Sequence, residues 1–181
     1  MCRKLWGLLT VLVLNAAVSM PCVAEGEQVK KPMPDILNGV KRILFYGDSL
    51  TDGSDYPDYV VNTLEREFPG AKFELMNSAI CGNTAADLLK RLTEDVLARK
   101  PDLVSICIGT NDRMGNRDIA QYSADMEALA TNLLNAGIKV LLVKPSPLGN
   151  PDQEKKFQDN LAAIQQVADR HKLLVADAHQ V

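Results

Sequence analysis

The 181-residue chain is 46% hydrophobic and 5% aromatic, with 23 Asp and Glu against 20 Lys and Arg. That composition suits one soluble domain with a real core and excludes a disordered, fibrous or collagen-like chain. The sequence has no basic patch interleaved with aromatics, so nucleic acid is not an expected partner.

The amino end stands apart. Arg3 and Lys4 precede a largely apolar run over 5–18, and Cys22-Val23-Ala24 offers small residues for cleavage before Glu25. This pattern predicts a secretory signal peptide over 1–24, too short for a convincing membrane span, and a secreted or periplasmic destination. A buried amino-terminal helix is the alternative, and the charged head followed by an uncharged run argues against it. Pro21 before Cys22 fits a lipoprotein signal poorly. Beyond the cleavage point only Cys81 and Cys107 remain. Export permits a disulfide, but Cys107 lies in an apolar strand, where a buried free thiol is the expectation. With no Cys-x-x-Cys pair and two His, neither a metal site nor a cofactor is expected.

Residues 25–39 are mostly polar, with Pro32 and Pro34, and read as a linker. The domain is expected over 40–181. An apolar run over 43–46 reads as the first strand and stops at Gly47-Asp48-Ser49; the Ser-Leu-Thr-Asp-Gly that follows is turn chemistry. A helix over 57–68 puts Tyr56, Val60, Leu64 and Phe68 on one face and ends at Pro69-Gly70. The second strand, 72–76, leads into Asn77-Ser78-Ala79-Ile80-Cys81-Gly82-Asn83. Thr84 with Asp87 forms a capping box for a helix carrying Leu88, Leu89, Leu92 and Val96. The third strand, 103–108, ends at Gly109-Thr110-Asn111-Asp112. A third helix over 119–135 buries Tyr122, Met126, Leu129 and Leu133, with Gly137 after its end. Strand four spans 138–143. Asn150, Pro151 and Gln153 open a fourth helix with Phe157, Leu161, Ile164, Val167 and His171 on its face. Strand five spans 173–176, and Asp177-Ala178-His179-Gln180-Val181 follows it.

Strands that are apolar throughout, alternating with amphipathic helices, predict a parallel sheet covered on both faces, with strand order 2-1-3-4-5 the obvious candidate. Right-handed crossovers put every strand-to-helix loop on one rim, where open α/β sheets bind ligands. Ser49, Gly82 and Asn111 follow strands one, two and three and therefore share that rim. A hydroxyl nucleophile attacking an ester creates an oxyanion that needs donors fixed beforehand. Gly82 can offer a backbone N–H free of side-chain obstruction. Asn111 can offer an amide that does not titrate, and Ser49 its own N–H. Each also has an ordinary role as a turn residue, and it is their joint placement that favours catalysis. Asp48, Asn83 and Asp112 flank them and are candidate substrate-binding residues, with Asp48 also shaping its turn.

At these residues the chain resembles the GDSL-type, or SGNH, hydrolases. Gly47-Asp48-Ser49-Leu50 resembles the family's nucleophile block, the segment from Asn77 to Thr84 its oxyanion-glycine block, and Gly109-Thr110-Asn111-Asp112 its oxyanion-asparagine block. Ala79 stands where many members have Gly. The resemblance implies a flavodoxin-like three-layer α/β/α sandwich with a five-stranded parallel sheet. It also implies metal-independent hydrolysis of acyl esters, acetyl esters among them, on a small-molecule, carbohydrate or lipid substrate.

One block does not match. The family carries Asp-x-x-His in a loop after strand five, its His taking the serine proton and its Asp orienting that His. Here Asp177-Ala178-His179 has a different spacing and sits on the strand's end, so His179 is read as incidental and His171 as packing or surface. With no final helix, apolar sheet surface should also lie exposed. The expectation is a domain truncated after strand five, with its carboxyl-terminal part missing and its esterase activity impaired. The alternatives are a non-catalytic member binding glycan or another ligand at the same rim, and a nucleotide or flavin binder. The latter is disfavoured because Asp48, Asp52 and Asp55 would repel phosphate. Residues 113–118 and 146–153 are expected to line the pocket without revealing what it accepts.

Overall fold

A computed structural model describes residues 31–180; the predicted signal peptide and the first residues of the linker lie outside them. The apolar runs form five strands: β1 (Arg42–Gly47), β2 (Glu74–Asn77), β3 (Leu103–Cys107), β4 (Lys139–Lys144) and β5 (Leu174–Asp177). All pair in parallel in the order β2-β1-β3-β4-β5, as the pattern predicts. β3 is buried along its whole length and β1 along all but Arg42, which is why neither shows the alternation of a half-exposed strand.

Six helices connect them: α1 (Ser49–Asp52), α2 (Tyr56–Glu67), α3 (Ala85–Asp95), α4 (Thr110–Met114), α5 (Ile119–Asn135) and α6 (Pro151–His171). α3, α5 and α6 cover one face, where Leu88, Leu92, Met126, Leu129, Leu133, Ile164 and Val167 join the cluster built on Leu44, Tyr46, Val104, Ile106 and Leu142. α2 lies on the other, with Val61 and Leu64 in one cluster with Ile43, Phe45, Leu103 and Val143. Successive strand residues point to opposite faces, so β1 alone supplies both clusters. The α3 start is the predicted capping box: Thr84 and Asp87 satisfy each other's backbone N–H, worth about 1 kcal/mol.

Two expectations are altered. The described part of the linker is not a free tether. Asp35–Leu37 forms a turn of 3-10 helix, Leu37 is 2% exposed within the α2-side cluster, and Lys139 Nζ donates to the Asn38 carbonyl at 2.6 Å. Burying Leu37 stabilises that arrangement by about 1.5–3 kcal/mol, enough to fix a segment whose average composition is polar. The expected bare sheet surface is also small. Leu174 is 53% exposed on the α2 side, but its β4 neighbours Leu141 and Val143 are buried in the same cluster as Leu37.

Candidate active site

The site is built where β1 stops. Asp48 caps α1, its side chain accepting from Leu50 N at 3.0 Å while its carbonyl accepts from Thr51 and Asp52 N at 3.0 and 2.9 Å. The stretch read as a turn is therefore one turn of helix, too short for its apolar residues to show a helical period. Ser49 is the first residue of that turn, with its side chain exposed. Its N–H is one of the leading helix donors that have no intrahelical partner.

The β2–α3 loop continues the sheet across the top of β1. Ser78 N donates to Phe45 O at 2.9 Å and Ile80 N to Gly47 O at 3.1 Å. Cys81 N then donates to Asp52 Oδ2 at 3.1 Å, tying the loop to the helix that carries Ser49. The next residue is Gly82, exposed, with φ +80° and open space where a Cβ would stand. Its glycine is therefore required by the backbone angle and not by crowding.

Asn111 is the second residue of α4, and its Nδ2 donates to Asn83 O at 2.9 Å and to Asp48 Oδ2 at 3.4 Å. One amide thus touches the loops after β1 and β2 from the loop after β3. Ser49, Gly82 and Asn111, predicted to share a rim, lie on three loops bonded to one another.

The flanking residues take other places. Asp48 and Asp112 are 0% exposed, so neither presents an atom to a ligand, contrary to the expectation of substrate contact. Both oxygens of Asp112 accept from Ala85 N, at 3.2 and 3.0 Å, and Oδ1 also pairs with Arg117 Nη1 at 2.9 Å. Arg117 in turn pairs with Asp125 of α5. Asp112 therefore anchors the start of α3 to α4. Burial pushes both carboxyls above the ordinary range. Leu50 N–H opposes this at Asp48 while the Asp112 charge adds to it, and at Asp112 the Arg117 guanidinium is the main opposing group. Asn83 is half-buried, its Oδ1 accepting from Arg91 Nε at 2.8 Å.

Neither histidine meets Ser49. His171 pairs with Glu127 at the far end of α6. His179 is on the rim, but its Nδ1 lies 3.0 Å from Pro145 O and its Nε2 2.6 Å from Glu154 Oε1. Sequence reasoning missed Asp52, Arg91 and Arg117, charged residues that no motif or spacing separates from ordinary helix-surface charge. Among the described residues no group of three or more His, Cys, Asp or Glu is placed to hold a metal ion. A concavity of about 810 Å³ lies on the opposite rim, between Leu37, Val40 and Phe73. Ser49 and Gly82, by contrast, stand at the surface.

Residues 45–181 match the model of the GDSL-like Lipase/Acylhydrolase family. The chain belongs to that family. It is 29% identical over 165 residues to the acetylxylan esterase of Geobacillus stearothermophilus, covering 76% of this chain and 75% of the relative. It is 31% identical over 105 residues to esterase TesA of Pseudomonas aeruginosa, covering 56% and 52%. A solved variant of the Geobacillus enzyme, an acetyl-xylooligosaccharide esterase, superposes with a TM-score of 0.72 at 28% identity, covering 77% of each chain. Structures of that enzyme include catalytic mutants in which a Ser, a His or an Asp is replaced by Ala. Family and relatives make this chain a carboxylic ester hydrolase on a flavodoxin-like parallel sheet.

Proposed function

We propose that the protein is an exported hydrolase of acyl esters, with acetylated carbohydrate its foremost substrate class. Ser49 Oγ attacks the acyl carbon, and the N–H groups of Ser49 and Gly82 with Asn111 Nδ2 receive the oxyanion. The observation that carries this reading is the Asn111 amide, anchored through one Nδ2 hydrogen to Asn83 O at 2.9 Å while the second is held only weakly by Asp48 Oδ2 at 3.4 Å and can turn to an oxyanion, because donors stabilise a developing charge only when held in place before it forms. Exposed apolar side chains near the rim are few, Ile80 and Met114 among them. An open rim with so little apolar surface suits a small acyl group on a bulky polar alcohol, in keeping with the acetylxylan esterase relative. Export rests on the pattern of residues 1–24. Among the described residues no helix is long and apolar enough to cross a membrane.

A fluorophosphonate probe tests the assignment. With imidazole added as base it should add to Ser49 and to no other serine, and peptide mass spectra of exported protein should begin at Glu25. Labelling elsewhere, or unchanged labelling in Ser49→Ala, would refute the nucleophile. A second reading, a non-catalytic glycan-binding member, is favoured by the engagement of both His179 nitrogens. It predicts saturable binding of acetylated xylo-oligosaccharide without labelling of Ser49.

A further inference from the structure

The loop after β2 is also held from outside the motif blocks, at Ser78 by Arg99 Nη1 at 2.6 Å and at both of its ends by Arg91. Arg91 lies on α3, outside all three motif blocks, with its side chain 16% exposed. Its Nε donates to Asn83 Oδ1 at 2.8 Å, and its Nη1 to Ser78 O and to Asp95 Oδ2, both at 2.6 Å. Its guanidinium carbon sits 4.5 Å from the centroid of the Tyr46 ring. One rigid group therefore holds both ends of the loop from Ser78 to Asn83. Between those ends Ile80, Cys81 and Gly82 are exposed, and Gly82 has no side chain with which to anchor itself. The Asn83 whose side chain Arg91 holds is also the residue whose carbonyl receives the Asn111 amide.

We propose that Arg91 is a positioning residue for the oxyanion donors, fixing the Gly82 N–H directly through the loop and the Asn111 amide through Asn83. The inference rests on the assignment of Gly82 and Asn111 made above. A guanidinium suits the task because its planar fork fixes two acceptors at a set angle and stays charged at any working pH. An ammonium is a single point charge and cannot span Ser78 O and Asn83 Oδ1 with the same geometry. Misplacing a reacting or stabilising group by about 1 Å costs on the order of 100-fold in rate.

The test replaces Arg91 by Met, which keeps an apolar stem over Tyr46, and uses the full chain with an aryl acetate as substrate and imidazole as added base. Arg91→Met should lower kcat on the order of 10- to 100-fold with KM nearly unchanged. Amide exchange at Gly82 and Asn83 should rise on the order of tenfold while the amides of β1 and β3 keep their protection. Added methylguanidinium should restore part of kcat, a response that a merely structural role would not give. Where Arg91→Met fails to fold, Asn83→Ala removes one of the two loop acceptors and leaves the bonds of Arg91 to Ser78 and Asp95, so the same kcat loss and the same faster exchange are expected of it. Unchanged Gly82 exchange in these variants, with hydrolysis still dependent on Ser49, overturns the role of Arg91 and leaves the nucleophile standing. Hydrolysis indifferent to Ser49→Ala overturns both.

Discussion

Ser49→Ala should abolish the hydrolysis of a small aryl acetate that an added base such as imidazole brings about, leaving only what oxyanion donors and binding supply without an activated nucleophile. A serine hydroxyl attacks only when a base takes its proton, and the described residues supply none. α6 has 21 residues, so at about 1.5 Å per residue His171 lies roughly 30 Å from the rim. His179 follows β5, which β3 and β4 separate from β1, and its ring is bonded elsewhere. Burial works against ionisation of Glu154, yet the Leu148 N–H and His179 outweigh it and hold that carboxyl below its usual range. At neutral pH Glu154 is therefore a carboxylate, which can only accept, and Pro145 O can only accept as well. Both ring nitrogens of His179 are thus engaged, Nδ1 with Pro145 O and Nε2 with Glu154, and neither is bonded to Ser49. A polypeptide of residues 25–181 is therefore expected to turn over slowly. Added imidazole should raise its rate in proportion to concentration, with no such rise in Ser49→Ala. His179→Ala should leave the Ser49-dependent rate within about twofold, whereas a hundredfold loss, in the range of general-base catalysis, would make His179 the base after all. Measuring initial rates for the three proteins with and without imidazole decides the matter.

What the sequence revealed follows from the kind of signal each feature carries. β1, β3 and β4 were legible as apolar runs ended by Gly, Asp, Asn or Pro, and the long helices by their 3.6-residue stripe. α1 and α4 were not, because four or five residues hold barely one turn of that period. Leu37 was passed over because one apolar residue in a polar segment gives no pattern, although its burial fixes the segment. Ser49, Gly82 and Asn111 could be placed on one rim from the sequence because each follows a strand, and parallel strands with one crossover hand send their ends to one side. The roles of Asp48 and Asp112 were not found. A charged residue beside a nucleophile or an oxyanion donor reads as a ligand contact until the donors that absorb it are known. Those donors, Leu50 N for one and Ala85 N with Arg117 for the other, are backbone or distant groups that leave no mark in the motif. Arg91 was hidden for the same reason: its partners Ser78 and Asn83 lie 13 and 8 residues away across a loop.

Gly47→Ala is expected to be the most damaging single substitution for folding, costing about 3 kcal/mol or more and leaving little soluble protein. Gly47 is the last residue of β1, buried, and in register with Cys107 of β3. A Cβ there would run into the Cys107 carbonyl oxygen and stand 2.8 Å from Thr51 Oγ1. The first obstacle is backbone in the central pair of the sheet, so it cannot rotate away as a side chain can. The second is itself 0% exposed and lies 3.0 Å from the Tyr56 hydroxyl. Relief therefore requires β1 and β3 to part at their carboxyl ends. That parting strains the bond from Ile80 N to Gly47 O and swings Asp48 and Ser49 away from the Asn111 amide. Gly82→Ala meets a different difficulty, since its Cβ would enter open space and only the left-handed φ of +80° is at stake; its cost should be about 1–2 kcal/mol. Urea unfolding followed by circular dichroism separates the two. Gly82→Ala should fold with an unchanged slope and a slightly lowered midpoint, while Gly47→Ala should show little or no cooperative transition. A Gly47→Ala protein with a native-like transition would mean that β1 and β3 can separate at this end without loss of the sheet. The glycine would then be needed only for the placement of Ser49, and the damage would appear in ester hydrolysis instead of folding.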